Sequence, residues 1–419
     1  MQIVQNRKLW IAVMLFLIST VNSVDRLVLA SVAPILRDIF HLSNQQYSYI
    51  VIAFMAGMAL GQVPAGAMLD RIGVRFGLPI LLVGWSFFNM LHVLARQVAQ
   101  FCILRLGMGV FESGNYSGGL KAISQTIPAE RRGFALGFFN TGYLLGSILA
   151  PPLVVYTATR FGWKSSFLLP GLIGMIWILP WLAVYKRPLE SLREQSDPAA
   201  RPALRDILRL RNTWGVIALR SSSGPVTQFY WYWLPLYLVR GRGASIEQMA
   251  GFASIAYVIG ACGNLAGGSS SDWLVRNGMA AAKSRRITFV VGSILCSACT
   301  FLVIVTKSLL VSDLFAGVAI FGLNFASCAL LAMMSDMFPE AALARVCGLS
   351  GVGENLLAIV LTLCTGIILD RFSFDSIFGA ASLFPLISVA MLYLLIRAPE
   401  AAALGIPRET TCPNRSVLH

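Results

Sequence analysis

Uncharged stretches such as VIAFMAGMALGQVPAGAML (51–69) and FGLPILLVGWSFFNMLHVL (76–94) recur along this chain, separated by short charged or Pro/Gly-rich breaks. Apolar runs of about twenty residues are long enough to cross a bilayer as helices, which satisfy every backbone group within one segment. They are too long and too unbroken for the ~10-residue alternating strands of an outer-membrane barrel. The breaks divide the chain into twelve expected spans: 9–33, 46–69, 76–95, 99–127, 133–158, 165–185, 214–238, 248–270, 287–306, 309–336, 345–369 and 376–396. One connection is long: KRPLESLREQSDPAARPALRDILRLRN (186–212) is polar, carries three prolines and predicts a short surface helix around Leu204 to Leu210. The fold expected is an all-α membrane protein of twelve transmembrane helices in two six-helix halves, 1–188 and 213–419, joined by a linker at 189–212. Such an arrangement suits a transporter built from repeats.

Composition agrees with this. Charged residues make up 12% of the chain, half of the roughly 25% usual in soluble domains. The net charge of +14 is a topology signal rather than a binding surface. Arg7, Lys8, Arg71, Arg75, Arg131, Arg132, the basic linker, Arg276, Lys283, Arg285, Arg286 and Arg345 gather on one side. The positive-inside rule makes that side, both termini and the linker cytoplasmic. Nucleic acid is therefore not expected as a partner. The basic start MQIVQNRKLW leads into an apolar run with no small-residue cleavage site, so a retained first span is expected rather than a signal peptide.

Seven of the eight cysteines fall inside expected spans, so no disulfide is expected, and Cys296-x-x-Cys299 reads as core packing rather than a metal site. His41, His92 and His419 form no cluster, and no metal or cofactor is implied. There is no P-loop, so ATP is not expected as the energy source. No nucleophile–base–orienter set can be assembled, which argues against an enzyme. Nothing suggests more than a monomer.

Repeat structure is visible in two loops. GAMLDRIGVRFG (66–77) follows the second span and GGSSSDWLVRNG (267–278) follows the eighth, each with a Gly four residues before an Asp. The first matches G-x-x-x-D-R-x-G-x-R and resembles the signature loop of the major facilitator superfamily. That resemblance implies a gate: Gly66 admits a close helix, Asp70 pairs with a helix end in the outward-facing state, Arg71 and Arg75 support it, and Asp272 is the counterpart. The plainer alternative is a basic turn that only fixes topology.

The chain also resembles one branch of that superfamily, the anion:cation symporters, which includes bacterial hexuronate and galactonate transporters. The likeness rests on VNSVDRLVLASVAPIL, RLGMGVFESGNYSGGLKAISQTIPAERR, FFNTGYLLGSILAPPLV, FYWYWLPLYL and GLSGVGENL. It implies proton-driven uptake of an organic anion, with an acid and an arginine in the first span (Asp25, Arg26) and in the fourth (Glu112, Arg105). Ser23, Gly224 and Glu354 depart from the family's usual residues, which bears on the contents of the pocket.

The residues themselves argue the same way. Asn22, Asp25 and Arg26 are three and four apart and share a helix face; Arg105 and Glu112 are two turns apart. A charge facing lipid is far more costly than one facing a water-filled cavity. Arginine offers a carboxylate two parallel hydrogen bonds and keeps its charge, so it is not the proton carrier, whereas a carboxyl can be. Protonation of Asp25 and Glu112 is expected to free Arg26 and Arg105 for the anion. The competing reading is a structural ion-pair network.

Asn140, Asn355 and Tyr230 are further expected substrate contacts, with helix–helix hydrogen bonding the alternative for the asparagines. Glu354 tunes substrate choice, adds a protonation step or snorkels near a helix end, and Arg220 is expected to snorkel. The partners expected are a small carboxylate, protons and the bilayer. Exchange of an organophosphate for phosphate, with Arg26 and Arg220 as a clamp, is the alternative transport reading. A sensing receptor ranks last, because the tail after Arg397 is short.

Overall fold

The computed structural model describes residues 2–127, 129–185, 204–338 and 340–396; most of the linker (186–203) and the tail (397–419) lie outside them. All regular structure among the described residues is helical. The first half comprises α1 (Gln2–Phe40), α2 (Asn44–Ile72), α3 (Val74–Leu91), α4 (Val98–Glu112), α5 (Asn115–Thr126), α6 (Ala129–Phe161) and α7 (Trp163–Val184). The second half comprises α9 (Arg211–Leu236), α10 (Ile246–Arg276), α11 (Ala281–Val305), α12 (Leu309–Met337), α13 (Glu340–Arg371) and α14 (Phe374–Leu395). Between them α8 (Leu204–Arg209) is the short helix the linker predicted, anchored by the buried Ile207.

Ten of the described helices are long and apolar enough to cross a membrane, against twelve expected spans. The fourth span is split at Ser113–Gly114 into α4 and α5, of 15 and 12 residues. A Ser/Gly pair is a recurrent kink site. The seventh, α9, is diluted by Arg220, three consecutive serines and Gln228. These two are also the spans that bring polar groups to the centre.

Backbones within each half approach almost to contact at glycines. A Cβ on Gly57 would lie 2.2 Å from the Leu106 carbonyl oxygen and one on Gly109 2.4 Å from that of Phe54, fixing α2 against α4. Gly142 and Gly146 do the same for α6 against the Phe16 and Thr20 carbonyls of α1, at 2.3 and 2.4 Å. In the second half Gly263 meets Phe321 of α12 at 2.2 Å. Close approach through small residues is how helices associate where the surroundings are as apolar as the side chains.

Among the described residues the two halves pack together from the centre to the end opposite the linker. There a Cβ on Gly366 of α13 would lie 2.5 Å from Ser48 Oγ of α2, and Ser254 of α10 donates to the Ile148 carbonyl of α6 at 2.8 Å. Toward the linker end the same helix pairs separate: nothing lies within 4 Å of a Cβ at Gly66, Gly348, Gly137 or Gly268. The closed end is sealed by polar contacts. Asp370 accepts from the backbone N–H groups of Asn44 and Gln45 at 2.8 and 3.0 Å. The Asn44 amide donates to the Leu369 carbonyl at 3.0 Å, Arg240 pairs with Asp38, and Tyr47 donates to the Tyr232 carbonyl at 2.8 Å. Asp370 thus sits on the N-terminus of α2, where unpaired N–H groups and the helix dipole favour an anion. GIILDR (366–371) repeats the GAMLDR of 66–71 at the opposite end of the molecule.

Replacing Gly366 by Leu forces α13 away from Ser48 and the Asn44 carbonyl. Spin labels at Gln46 and Phe372, on a cysteine-free background, should then show a longer-distance population in pulsed dipolar measurements. An unchanged distance distribution would mean that this contact does not govern closure.

Candidate functional site

Arg26, on α1, reaches across to Glu112 at the end of α4. Its Nε and Nη2 donate to Glu112 Oε1 at 2.9 and 2.7 Å. The Glu112 side chain is wholly buried while that of Arg26 keeps 19% exposure, so the guanidinium is the partner that still meets water. Phe54 of α2 and Trp231 of α9 flank it, with ring centroids 5.6 and 5.8 Å from Cζ. Both lie within the ~6 Å over which an aromatic face attracts a cation.

Arg105, one face of α4 below, is fully buried and also lies over Phe54, at 5.8 Å. Its Nη1 reaches only Met108 Sδ, at 3.9 Å. Nε and Nη2 have no hydrogen-bond partner among the described residues, and neither has Glu112 Oε2 nor the amide of Asn22. Asp25 differs from its neighbour. Successive helical residues point about 100° apart, so its carboxylate turns away from Arg26 into α3, where Asn89 Nδ2 and Trp85 Nε1 donate to it at 2.7 and 3.1 Å. Arg26 thus pairs across helices with Glu112, Asp25 is held by neutral donors, and Arg105 has no carboxylate partner among the described residues.

A cavity of about 80 Å³ adjoins Arg26, lined by Ser23, Leu27, Tyr143, Ser147 and Trp231. At about 30 Å³ per water it holds two or three waters, not a sugar. Ser23 and Ser147 share a hydrogen bond of 2.8 Å, and Asn115 donates to the Tyr143 hydroxyl at 2.8 Å. A larger depression of about 310 Å³, near Tyr237, Arg240 and Phe374, lies on the closed end, away from these charges.

Tyr230 does not reach the cavity. Its buried hydroxyl bonds Thr300 of α11 at 2.9 Å and its ring packs among Phe229 and Phe378. The one-residue offset gives the cavity position to Trp231, which the aromatic cluster contained but its spacing alone could not single out. Asn140 is exposed, three and seven residues before Tyr143 and Ser147 and so on their face of α6. Asn355 donates to the Gly351 carbonyl of its own helix at 3.0 Å. Arg220 pairs with Glu354 of α13 at 2.5 Å.

The expected gating residues form two separate clusters at the linker end. Asp70 pairs with Lys121 of α5 at 2.5 Å, and Lys121 also donates to the Leu69 carbonyl. Arg71 is exposed. Arg75 does not support Asp70: it stacks on Phe76 and donates to the Leu182 carbonyl of α7 at 3.5 Å. In the second half Arg285 pairs with Asp272 at 3.0 Å and with Asp336 at 3.6 Å. Lys121 and Asp336 were missed because neither lies in the loop that carries the motif.

The Arg26–Glu112 pair yields a stability prediction. Arg26→Ala leaves a buried carboxylate uncompensated and should destabilise the detergent-solubilised protein by about 3–5 kcal/mol. The double substitution Arg26→Leu with Glu112→Leu should recover most of that loss. Chemical denaturation that finds Arg26→Ala as stable as wild type would show the pair to be energetically idle.

Comparison with known proteins adds the lineage. The sequence model of the Major Facilitator Superfamily matches residues 15–330 and 277–413. A hexuronate transporter of Escherichia coli (strain K12) is 27% identical over 96% of both chains. A galacturonate transporter of Dickeya chrysanthemi is 32% identical over 62% of this chain and 80% of its own. Among solved structures, a bacterial homolog of the human lysosomal transporter Spinster, inward-facing and unoccupied, superposes with a TM-score of 0.77. It covers 93% of this chain and 97% of its own, at 16% identity. A D-xylose–proton symporter gives 0.73 at 16% identity, over 94% and 99%. Both structural likenesses concern the fold.

Proposed function

The chain belongs to the Major Facilitator Superfamily, and from that premise we propose that it is a proton-coupled symporter for an organic anion. It takes a sugar acid, a hexuronate or an aldonate, into the cell by alternating access. The observation that carries this reading is Arg105, a fully buried guanidinium with two unpartnered nitrogens beside an arginine that is already paired. A buried cation without a partner is costly, and a carboxylate is the group whose geometry a guanidinium fork fits. The names of the relatives, transporters of hexuronate and galacturonate, support the same substrate class.

Coupling follows from the shared carboxylate. While Glu112 is ionised it occupies Arg26. When a proton neutralises it, Arg26 is released beside Arg105, and two guanidinium groups face one incoming carboxylate. Anion and proton enter together, so the cavity gains no net charge. Tyr143, Ser147 and Asn140 offer hydrogen bonds to sugar hydroxyls, and Trp231 an apolar face. Asp25, held only by Asn89 and Trp85, is a second carboxyl within electrostatic reach of Glu112 and Arg105.

In the orientation favoured by the basic residues, the linker end faces the cytoplasm of a bacterial cell across its inner membrane. The conformation described, closed at the opposite end and parted at the linker end, is then the inward-facing one, with Asp70 resting on Lys121 rather than bridging the halves. Phosphate exchange through an Arg26–Arg220 clamp is disfavoured. Arg220 lies three turns from Trp231, about 16 Å along α9, too far to close on one phosphate with Arg26.

Proteoliposomes with an inward proton gradient test the reading directly. Labelled glucuronate, galacturonate or galactonate should accumulate, and the accumulation should collapse when the gradient is dissipated. Arg105→Ala should lose uptake, while Glu112→Gln should retain downhill exchange without accumulation. If none of these acids moves, or if Arg105→Ala transports like wild type, the symporter reading is wrong.

A further inference from the structure

Between Leu219 and Leu236 every residue of α9 is buried except Arg220, Ser221, Thr227, Gln228 and Trp231. Spacings of three, four and seven put these five on one face of the helix. Trp231 lines the cavity beside Arg26, and the stripe descends from it toward the linker end, about 16 Å below. Four of the five side chains are polar, and one is charged. At membrane depth such a stripe faces water, because facing lipid is far more costly. Thr227 and Gln228 thus form a polar track between Trp231 at the cavity and Arg220, beside which Ser221 packs against Gly353 of α13.

Arg220 stands at the foot of this track with an acid laid against it. Its Nε donates to Glu354 Oε2 at 2.5 Å, and its Nη1 reaches Ser350 Oγ and the Cys347 carbonyl at 3.3 and 3.4 Å. Nη2 makes no hydrogen bond among the described residues; Gly351 lies beside it, with a 3.9 Å approach to an added Cβ. The pair keeps 32% and 18% exposure. Glu354 fits there because position 224 is glycine. A Cβ at Gly224 would lie 2.3 Å from Glu354 Cγ and 2.5 Å from Oε1, so the acid lies flat on α9 one turn above Arg220.

We propose that Arg220 and Glu354 form a second anion station on the release path, where the departing carboxylate is gripped by Arg220 while Glu354 yields its place. This rests on the sugar-acid reading above. Glu354 neutralises the arginine and keeps the grip weak, which a transit site requires: binding strong enough to enter and weak enough to leave. The charged arginine supplies a carboxylate-shaped fork, and Thr227 and Gln228 supply neutral hydrogen bonds between the two stations. The arrangement gives the substrate different affinities at the two faces of the membrane.

Sidedness is what the test reads. In proteoliposomes of fixed orientation, half-saturating concentrations are measured with labelled glucuronate, or with whichever of the tested acids wild type carries, from the linker face and from the opposite face. Glu354→Gln should lower the linker-face value about tenfold, a difference of one charge-assisted contact. Arg220→Gln should raise it by a similar factor. The opposite-face value should stay within twofold in both. Gly224→Ala, which pushes only the flexible Glu354 side chain off α9, should act like Glu354→Gln, and stands in if the charge variants do not fold. Linker-face values within twofold of wild type, or equal shifts at both faces, would make the pair a strut between α9 and α13 and overturn the station. If wild type itself moves no sugar acid, it is the functional reading that fails, and the station falls with it.

Discussion

The ion pair between Arg26 and Glu112 is the contact on which the centre of this molecule depends. It joins the middle of α1 to the end of α4, and it is possible only because both helices are locked against their neighbours at glycines, α1 on α6 and α4 on α2. A buried pair of this kind is poor stabilisation in itself. Its consequence is local: with Glu112 committed to one guanidinium, the other, Arg105, is left with a methionine sulfur and an aromatic face. Arg105 is thereby the cation that the described side chains leave without a carboxylate.

Division of labour between the halves follows from where those charges sit. The first half supplies Asp25, Arg26, Arg105 and Glu112. The second supplies Trp231 against Arg26 and the Tyr232 carbonyl against Tyr47. A change in the central charges is therefore felt at the surface where the halves meet, because Trp231 belongs to one half and Arg26 to the other. The same surface is closed at one end by Asp370 on the N-terminus of α2 and parted at the other, where Asp70 stays within its own half. Contact at one end and separation at the other is the geometry that rocking about a central site requires.

Much of this was legible beforehand. Twelve spans, the short helix after the linker and the importance of the first and fourth spans all followed from apolar run length and from charges placed where charges are expensive. Ser113–Gly114 and the serines of α9 explain why two spans fall short of a simple length-and-hydropathy test, since those helices serve the site rather than the lipid. What sequence reasoning misplaced turned on single residues. Tyr230 and Trp231 are adjacent in the same aromatic run, and a rotation of about 100° sends one to Thr300 and the other to the cavity. Asp25 and Arg26 are adjacent charges with unrelated partners for the same reason.

By itself, then, the sequence determined the apolar surroundings, the helical class of the spans and the short inventory of intramembrane charges, because each depends on composition within a window of about twenty residues. Tertiary structure alone decided who pairs with whom. Glu112 lies 86 positions from Arg26, Glu354 134 from Arg220, and Asn44 326 from Asp370. Those partnerships depend on helix rotation and on glycine-to-backbone crossings between segments remote in the chain, and a local pattern of apolar and polar positions carries neither.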